Sequence, residues 1–502
     1  MDIRPTEAEF LKLAKQGNVI PVYGEHVGDL ETPVSAYLKL DDGRFSFLLE
    51  SVSGEERLAR FSFVGSRPRW LVTASGRHLE RSEFPEGRPP RVARFETHTD
   101  PLKEIERLMG QFRAVPVEGL PRFCGGLVGY LGYNVVRFLE RLPPHQIDDV
   151  KVPDIMLMLA DTMAVFDHAE HKILLVANAI LDGERPRAAY RRAVRRIDAM
   201  ARRLRGPLPP SRGRLSPRRS RLETRVHSNV TPGQFHRMVE QAKRDIRAGE
   251  IIQGVVSQRL ERRVTCGSFD VYRVLRSLNP SPYMYHLRFN SLCLVGTSPE
   301  MLIRCEDGRL ETRPIAGTRR RGATDREDEQ LIRQLQASPK ERAEHLMLVD
   351  LSRNDLGRVA VTGSVQTPEL MIVEKYSHVL HLVSSVTATL RPGKTAFDVL
   401  RATFPAGTVT GAPKVRAMEI IAELERHDRG TYAGAVGYLS FSGNLDTCIT
   451  IRTILMKGHQ AYIQAGAGIV ADSHPVREYH ETLSKAKGML QAIEIAERRF
   501  AR

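Results

Sequence analysis

The 502-residue chain has only five cysteines, one tryptophan and no long apolar run. Cys124, Cys266, Cys293, Cys305 and Cys448 are scattered, odd in number and without metal-ligand spacing. That pattern excludes a disulfide scaffold and a zinc module and points to a reducing cytoplasm. No apolar stretch approaches the length that crosses a bilayer, and Met1–Gln16 alternates acids and bases without the apolar centre of a secretory signal. No Walker A loop is present, because no lysine follows the second glycine of a G-x-x-x-x-G frame in Phe404–Gly411. Nor is there a G-x-C-x-G nucleophile elbow, since Phe123-Cys124-Gly125-Gly126 lacks that frame.

The net charge of +15 invites a nucleic-acid reading, but the charge is concentrated in one place. Arg185–Arg225 holds fifteen arginines, no lysine and only Asp198 and Glu223 as acids, so +13 of the +15 resides there. No aromatic residue follows Tyr190 within that segment, and stacking platforms for bases are missing. Arg191–Arg205 has helical periodicity, with Ala193, Ile197, Met200 and Leu204 as its apolar stripe. Gly206-Pro207-Leu208-Pro209-Pro210-Ser211 then reads as an extended linker. A solvated helix and linker is the expectation; a docking strip for RNA or an acidic partner is the competing one.

The linker divides the chain into an N-terminal region (1–205), an Arg/Pro-rich segment (206–227) and a C-terminal region (228–502). Strands are expected at Arg44–Leu49, Phe61–Gly65, Trp70–Ala74, Met156–Phe166 and Lys172–Ala177, each rich in bulky apolar residues and bounded by turn formers. Further on, Tyr432–Phe441, Asp446–Met456 and Tyr462–Ala465 are separated by Ser442-Gly443-Asn444 and Lys457-Gly458-His459. Three consecutive antiparallel strands imply an α+β sheet rather than a doubly wound parallel one.

Two helices each offer paired carboxylates. Ser338-Pro339-Lys340-Glu341 is a capping-box start, and Glu341 and Glu344 share one face of the helix that follows. After Asp472-Ser473-His474-Pro475, a helix reaching towards Phe500 places Glu478, Glu481 and Lys485 in one narrow sector. Four oxygen donors on two helices suit Mg²⁺, a hard cation that takes its remaining ligands from water or an anionic substrate. Two glycine-rich loops, Phe404–Gly411 and Gly466-Ala467-Gly468, offer backbone N–H groups to anions, and in Pro314-Ile315-Ala316-Gly317-Thr318 the glycine lets the backbone approach a ligand while Thr318 offers a hydroxyl and an N–H. Arg452, expected on a strand, adds a bidentate contact for a carboxylate. Each signal has a plainer reading: a strand–turn junction, a helix cap, a solvated glutamate, an exposed Glu481–Lys485 ion pair. Together they describe a site for a small dianion beside a divalent cation.

In their order these motifs resemble the anthranilate synthase component I family of chorismate-utilising enzymes, over nearly the whole chain. The resemblance runs through Asn18–Tyr23, Leu30–Tyr37 and Leu48-Leu49-Glu50-Ser51 in the N-terminal region. It continues through Asn279–Tyr285, Thr297-Ser298-Pro299-Glu300, Asp350–Gly357 and Tyr376–His381. It implies a composite α/β sandwich with large antiparallel sheets, in which chorismate and ammonia become anthranilate and pyruvate, the first committed step of tryptophan biosynthesis. It also implies Mg²⁺ held through Glu341, Glu344, Glu478 and Glu481, and substrate met by Gln253, Gly317, Thr318, Thr408, Tyr432, Arg452, Gly466, Gly468 and Lys485.

Glu300 resembles the acid that helps the ring hydroxyl depart and His381 the residue that assists loss of pyruvate, and the resemblance implies a catalytic role for Thr408 as well. A lysine at position 316 is typical of the nearest rival, aminodeoxychorismate synthase, and this chain has Ala316. At position 253 isochorismate and salicylate synthases carry a lysine that activates water, so the neutral Gln253 argues for ammonia. Glu50 and Ser51 resemble the residues holding the polar head of an inhibitory L-tryptophan, with Pro282, Tyr283, Met284, Val436 and Tyr438 around its indole. The resemblance further implies a separate glutaminase subunit supplying ammonia, in an assembly of two large and two small subunits.

Overall fold

Alternating apolar strands, most of them buried on both faces, pair into two large sheets. The structure, a computed structural model, describes residues 1–27, 30–51, 60–209, 225–376 and 379–500. Residues 210–224 of the expected linker and Ser377-His378 lie outside them, as does the side chain of Thr318.

One sheet has 13 strands and the other 12 among the described residues. Both pass through both halves of the chain. In the first, Phe45–Glu50 pairs antiparallel with Tyr283–Phe289; in the second, Gly126–Leu131 pairs antiparallel with Ala435–Ser440. The regions on either side of the linker therefore share continuous hydrogen-bonded ladders, and the expected sandwich with large antiparallel sheets is what the chain forms.

A core that includes Phe47, Phe63, Tyr130, Met158, Tyr285 and Tyr438 fills the space between the sheets. Helices cover the outer faces. Pro186–Arg205 and Pro475–Phe500 lie on the first sheet, and Ala396–Thr403 and the Pro339–Gly357 helix on the second. The arginine-rich helix buries Ala193, Ile197, Met200 and Leu204, the stripe read from its periodicity, and begins earlier than expected, at Pro186. Proline at the first helical position explains the start, since its missing N–H is not needed there. The C-terminal helix runs to Phe500 as expected.

Three places where the chain switches sheets were not foreseen as such. The expected single strand Met156–Phe166 is two, Ile155–Ala160 in the second sheet and Thr162–Asp167 in the first. They break at buried Asp161, which accepts from Arg196 Nη1 at 2.7 Å. Leu292–Ser298 and Met301–Glu306 likewise belong to different sheets, with Pro299-Glu300 between them.

The expected strand Asp446–Met456 also divides. Leu445–Ile449 completes the hairpin around Ser442-Gly443-Asn444, with Gly443 at φ +88°, in the second sheet. Thr453–Lys457 pairs with Gln460–Ile469 in the first. Arg452 sits in the crossover at φ +50°, a conformation that L-residues avoid unless their surroundings impose it. The expectation that Arg452 lies on a strand is thus corrected. A period-2 pattern persists across the break because both halves are buried strands, and nothing local announces the switch.

Candidate active site

Glu300 and Arg452 both stand at sheet crossovers, and the other expected residues gather around them. Glu300 is 7% exposed. Its backbone is locked by Ile449 N–H donating to Glu300 O at 3.0 Å and by Ser298 Oγ, which accepts from Glu300 N–H at 3.4 Å. Burial pushes its carboxyl up to about 8, against the opposing pull of the Thr408 hydroxyl, the Ile315 N–H and the Lys485 charge. At neutral pH Glu300 therefore carries a proton it can donate.

Thr408 lies on a short 3₁₀ turn, Gly407–Val409, that follows the helix Ala396–Thr403. Gly407 is packed so closely that an added Cβ would come within 2.7 Å of Leu351. A buried Arg429–Glu425 pair anchors this loop: Arg429 donates to Val409 O at 2.8 Å, to Val255 O at 2.7 Å and to both Glu425 oxygens. That clamp ties the Thr408 turn to the strand Gln253–Arg263, and the i,i+4 spacing of the pair reads in sequence like an ordinary exposed one.

The carboxylate helices approach from two sides. Ser338 Oγ caps the first by accepting from Glu341 N–H at 3.4 Å. The Glu341 side chain is engaged elsewhere, accepting from Arg319 Nη1 at 3.0 Å. Arg319 lies on the strand Ile315–Arg320. Gly317 on that strand has φ +56°, and a Cβ there would meet Glu341 Oε2 at 2.9 Å, so glycine is required on both counts. Gly317 O accepts from His381 Nδ1 at 3.2 Å. Because a carbonyl can only accept, the neutral imidazole keeps its proton on Nδ1 and its basic lone pair on Nε2. Burial lowers the His381 pKa, which favours that neutral form.

Glu344 accepts from Gln253 Nε2 at 3.4 Å, and Gln253 packs against Gly468, where a Cβ would collide with the amide. Gly466-Ala467-Gly468 is not the expected loop. It lies inside the strand Gln460–Ile469, paired with Val255–Ser257. Glycine is needed at 466 because a Cβ would stand 2.6 Å from Tyr432 Oη. Lys485 Nζ donates to Gly466 O at 2.9 Å and pairs with Glu481 at 2.7 Å. Burial raises Tyr432 to about 12 and lowers Arg452, which also feels Tyr432 and Glu481. Pairwise contacts and charge interactions thus connect Glu344 to Gln253 and Glu481, Glu481 to Lys485 and Arg452, Lys485 to Gly466 and Glu300, and Tyr432 to Gly466 and Arg452; the side chain of Thr318 is outside the described residues.

Burial is the first cause of raised pKa values at Glu344 and Glu478, and like charge adds to it: Glu341 and Glu481 act on Glu344, Glu481 on Glu478. Among the described residues no three acidic, histidine or cysteine groups converge tightly enough to hold a metal ion. The donors instead stand on separate helices. All-oxygen, mutually repelling carboxylates are nonetheless the ligand chemistry that suits a hard divalent cation.

A cavity with about 60 Å³ of room for water lies between the sheets. Glu50, Ser51, Pro282, Tyr283, Met284, Val436 and Tyr438 all line it. Among the described residues the buried Ser51 hydroxyl has no hydrogen-bond partner. Glu50 is already occupied: Arg276 grips both its oxygens at 2.9 and 3.0 Å, and Tyr272 donates to it at 2.5 Å. Ser51, unlike Glu50, has bonding capacity to spare, as has Arg122 Nε on the same wall.

The chain belongs to the family of chorismate binding enzymes, which matches residues 57–491. It is similar to two proteins named anthranilate synthase component 1. The one from Acetivibrio thermocellus is 47% identical over 98% of this chain and 99% of the relative. The one from Aquifex aeolicus is 46% identical over 99% of each. The crystal structure of anthranilate synthase component I from Streptococcus pneumoniae superposes with a TM-score of 0.75, at 38% identity, covering 92% of this chain and 98% of that one. A menaquinone-specific isochorismate synthase from Escherichia coli shares the fold at TM-score 0.70 and 19% identity, covering 97% and 98%.

Proposed function

We infer that this chain converts chorismate and ammonia to anthranilate and pyruvate, as the large component of an anthranilate synthase. What supports the reading is Glu300, a buried acid beside the Thr408 hydroxyl and the Lys485 charge, whose carboxyl burial pushes up to about 8. The chain's relatives carry that activity in their names.

In this mechanism Arg452, Tyr432, Lys485 and the backbone at Gly466 and Gly468 bind and orient the substrate carboxylates. Glu341, Glu344, Glu478 and Glu481 would hold Mg²⁺, which supplies positive charge to fix the ring carboxylate and withdraw electron density from the ring. Glu300 donates its proton to the departing ring hydroxyl, which leaves as water while ammonia adds. Gln253, being neutral, gives no base for activating water and leaves ammonia as the nucleophile. His381, neutral with a basic Nε2, assists the loss of pyruvate that makes the ring aromatic.

The test is incubation of the pure chain with chorismate, Mg²⁺ and ammonium at alkaline pH, followed by product identification. Anthranilate is the expected product; aminodeoxychorismate or isochorismate would overturn the reading. Ala316, 8% exposed and paired with Leu382, leaves room for the ring where a lysine would fill it. Ala316→Lys is expected to impair anthranilate formation, and unchanged turnover and product would show that position 316 does not discriminate.

The same reading assigns the cavity between the sheets to L-tryptophan as a feedback inhibitor. Ser51 would take its polar head, and Pro282, Tyr283, Met284, Val436 and Tyr438 its indole. Tryptophan would bind away from chorismate, so each must weaken the other's affinity by the same factor. Ser51→Phe is expected to abolish tryptophan inhibition and spare turnover. Equal inhibition of both proteins in a tryptophan titration would remove the assignment.

A glutaminase subunit would supply the ammonia in a cytoplasmic assembly of two large and two small subunits, with the N-terminal region serving regulation and partner contact. Among the described residues no helix is long and apolar enough to cross a membrane.

A further inference from the structure

Glu300, on the reading above, gives up its proton once per turnover while bound substrate covers one side of it. It must regain that proton from somewhere. Glu300 also lines a cavity with about 30 Å³ of room for water. Glu300, Thr408, Thr403 and Ser352 supply polar wall, and Leu348, Leu351 and Ile449 are among its apolar lining. Asp355 also lines this cavity. It is 8% exposed, and its carboxylate accepts from Lys414 Nζ at 2.6 Å. Lys414 reaches Thr403 O at 3.4 Å and is itself only partly buried, so the pair links the cavity to the outside.

The chemistry proposed above uses neither Asp355 nor Lys414, and a buried ion pair is weak evidence for stability alone. A paired acid and base joined by water to a buried general acid is a layout for moving protons. We propose that this cavity is the route by which Glu300 regains its proton, with Asp355 as the relay residue at its outer end. This rests on the anthranilate synthase reading and adds a positioning residue to it. In the step, a hydronium or buffer acid protonates Asp355, cavity water carries a proton inward, and the Glu300 carboxylate formed on loss of the ring hydroxyl becomes the acid again. The added nitrogen releases its proton separately, so the cycle balances.

Asp355→Asn keeps the shape and cannot relay. In the ammonium-dependent assay it is expected to lower kcat about tenfold, a modest share of what acid–base groups contribute, with KM for chorismate within about twofold. Its solvent deuterium isotope effect on kcat should exceed that of the wild type, and raising imidazole buffer at constant pH should restore part of the rate. Ser352→Ile fills the cavity without touching the Asp355–Lys414 pair and should give the same signature. It carries the test if Asp355→Asn fails to fold. An unchanged kcat in the folded variants overturns the relay, as does a lower kcat with neither isotope effect nor buffer response. A wild type that forms no anthranilate overturns the underlying reading as well.

Discussion

Glu300→Gln is expected to lower kcat by roughly 10²–10⁴, the span that a positioned general acid contributes, while KM for chorismate changes little. Glutamine keeps the shape and cannot donate a proton to the leaving hydroxyl. The wild type should also show this group in its pH profile. Burial raises the Glu300 carboxyl to about 8, so at constant free ammonia kcat should hold near neutral pH and fall as pH rises through 8.

Stability carries the same signature. The folded pKa stands above the ordinary carboxyl value of 4.5, so the folded state retains a proton that the unfolded chain has released. That contribution is complete below the unfolded pKa and is lost as pH climbs from the carboxyl range through about 8. Glu300→Gln stays neutral and should flatten this part of the curve. Denaturant midpoints at pH 6 and pH 9 measure it for both proteins. Wild-type turnover by the variant would take Glu300 out of the chemistry.

The sequence made the site's membership legible, but not its architecture. Glu341 with Glu344 and Glu478 with Glu481 are i,i+3 pairs, so helical geometry alone assigns each pair to a face. Gly317 and Gly407 stand where backbone conformation or close packing excludes a side chain. The sheet switches at Asp161, Pro299-Glu300 and Thr450–Arg452 had no such signal. A strand buried on both faces reads the same before and after it crosses from one sheet to the other. For the same reason Gly466-Ala467-Gly468 read as a loop: glycines usually mark turns, whereas here they admit Tyr432 and Gln253 against a strand. Asp355 and Lys414 were invisible as a pair, because 59 residues separate them and only the fold brings them together.

Glu478→Gln and Glu341→Gln are each expected to remove nearly all activity without harming the fold. Losing a group that merely supports a metal ligand already costs about 10–100-fold, so losing a ligand should cost more. The plainer reading predicts otherwise, since a helix cap or exposed ion pair is worth about 1 kcal/mol or less. Burial and the like charge of Glu481 raise the Glu478 pKa over the opposing pull of the Ser473 hydrogen bond and the Lys485 and Lys340 charges, so ionising it weakens the metal-free protein. Its neutral isostere should leave thermal stability equal or higher. Glu341→Gln relieves the charge pressing on Glu344 and gives up only the part-exposed Arg319 contact. Mg²⁺ supplies the second measurement. A ligand at 100 times its Kd stabilises the folded state by about 2.7 kcal/mol, so Mg²⁺ should raise the melting temperature of the wild type and leave both variants unmoved. Wild-type turnover together with lowered stability would return these carboxylates to a structural role. Lost activity with an undiminished Mg²⁺ response would keep them in the site and remove them from the metal.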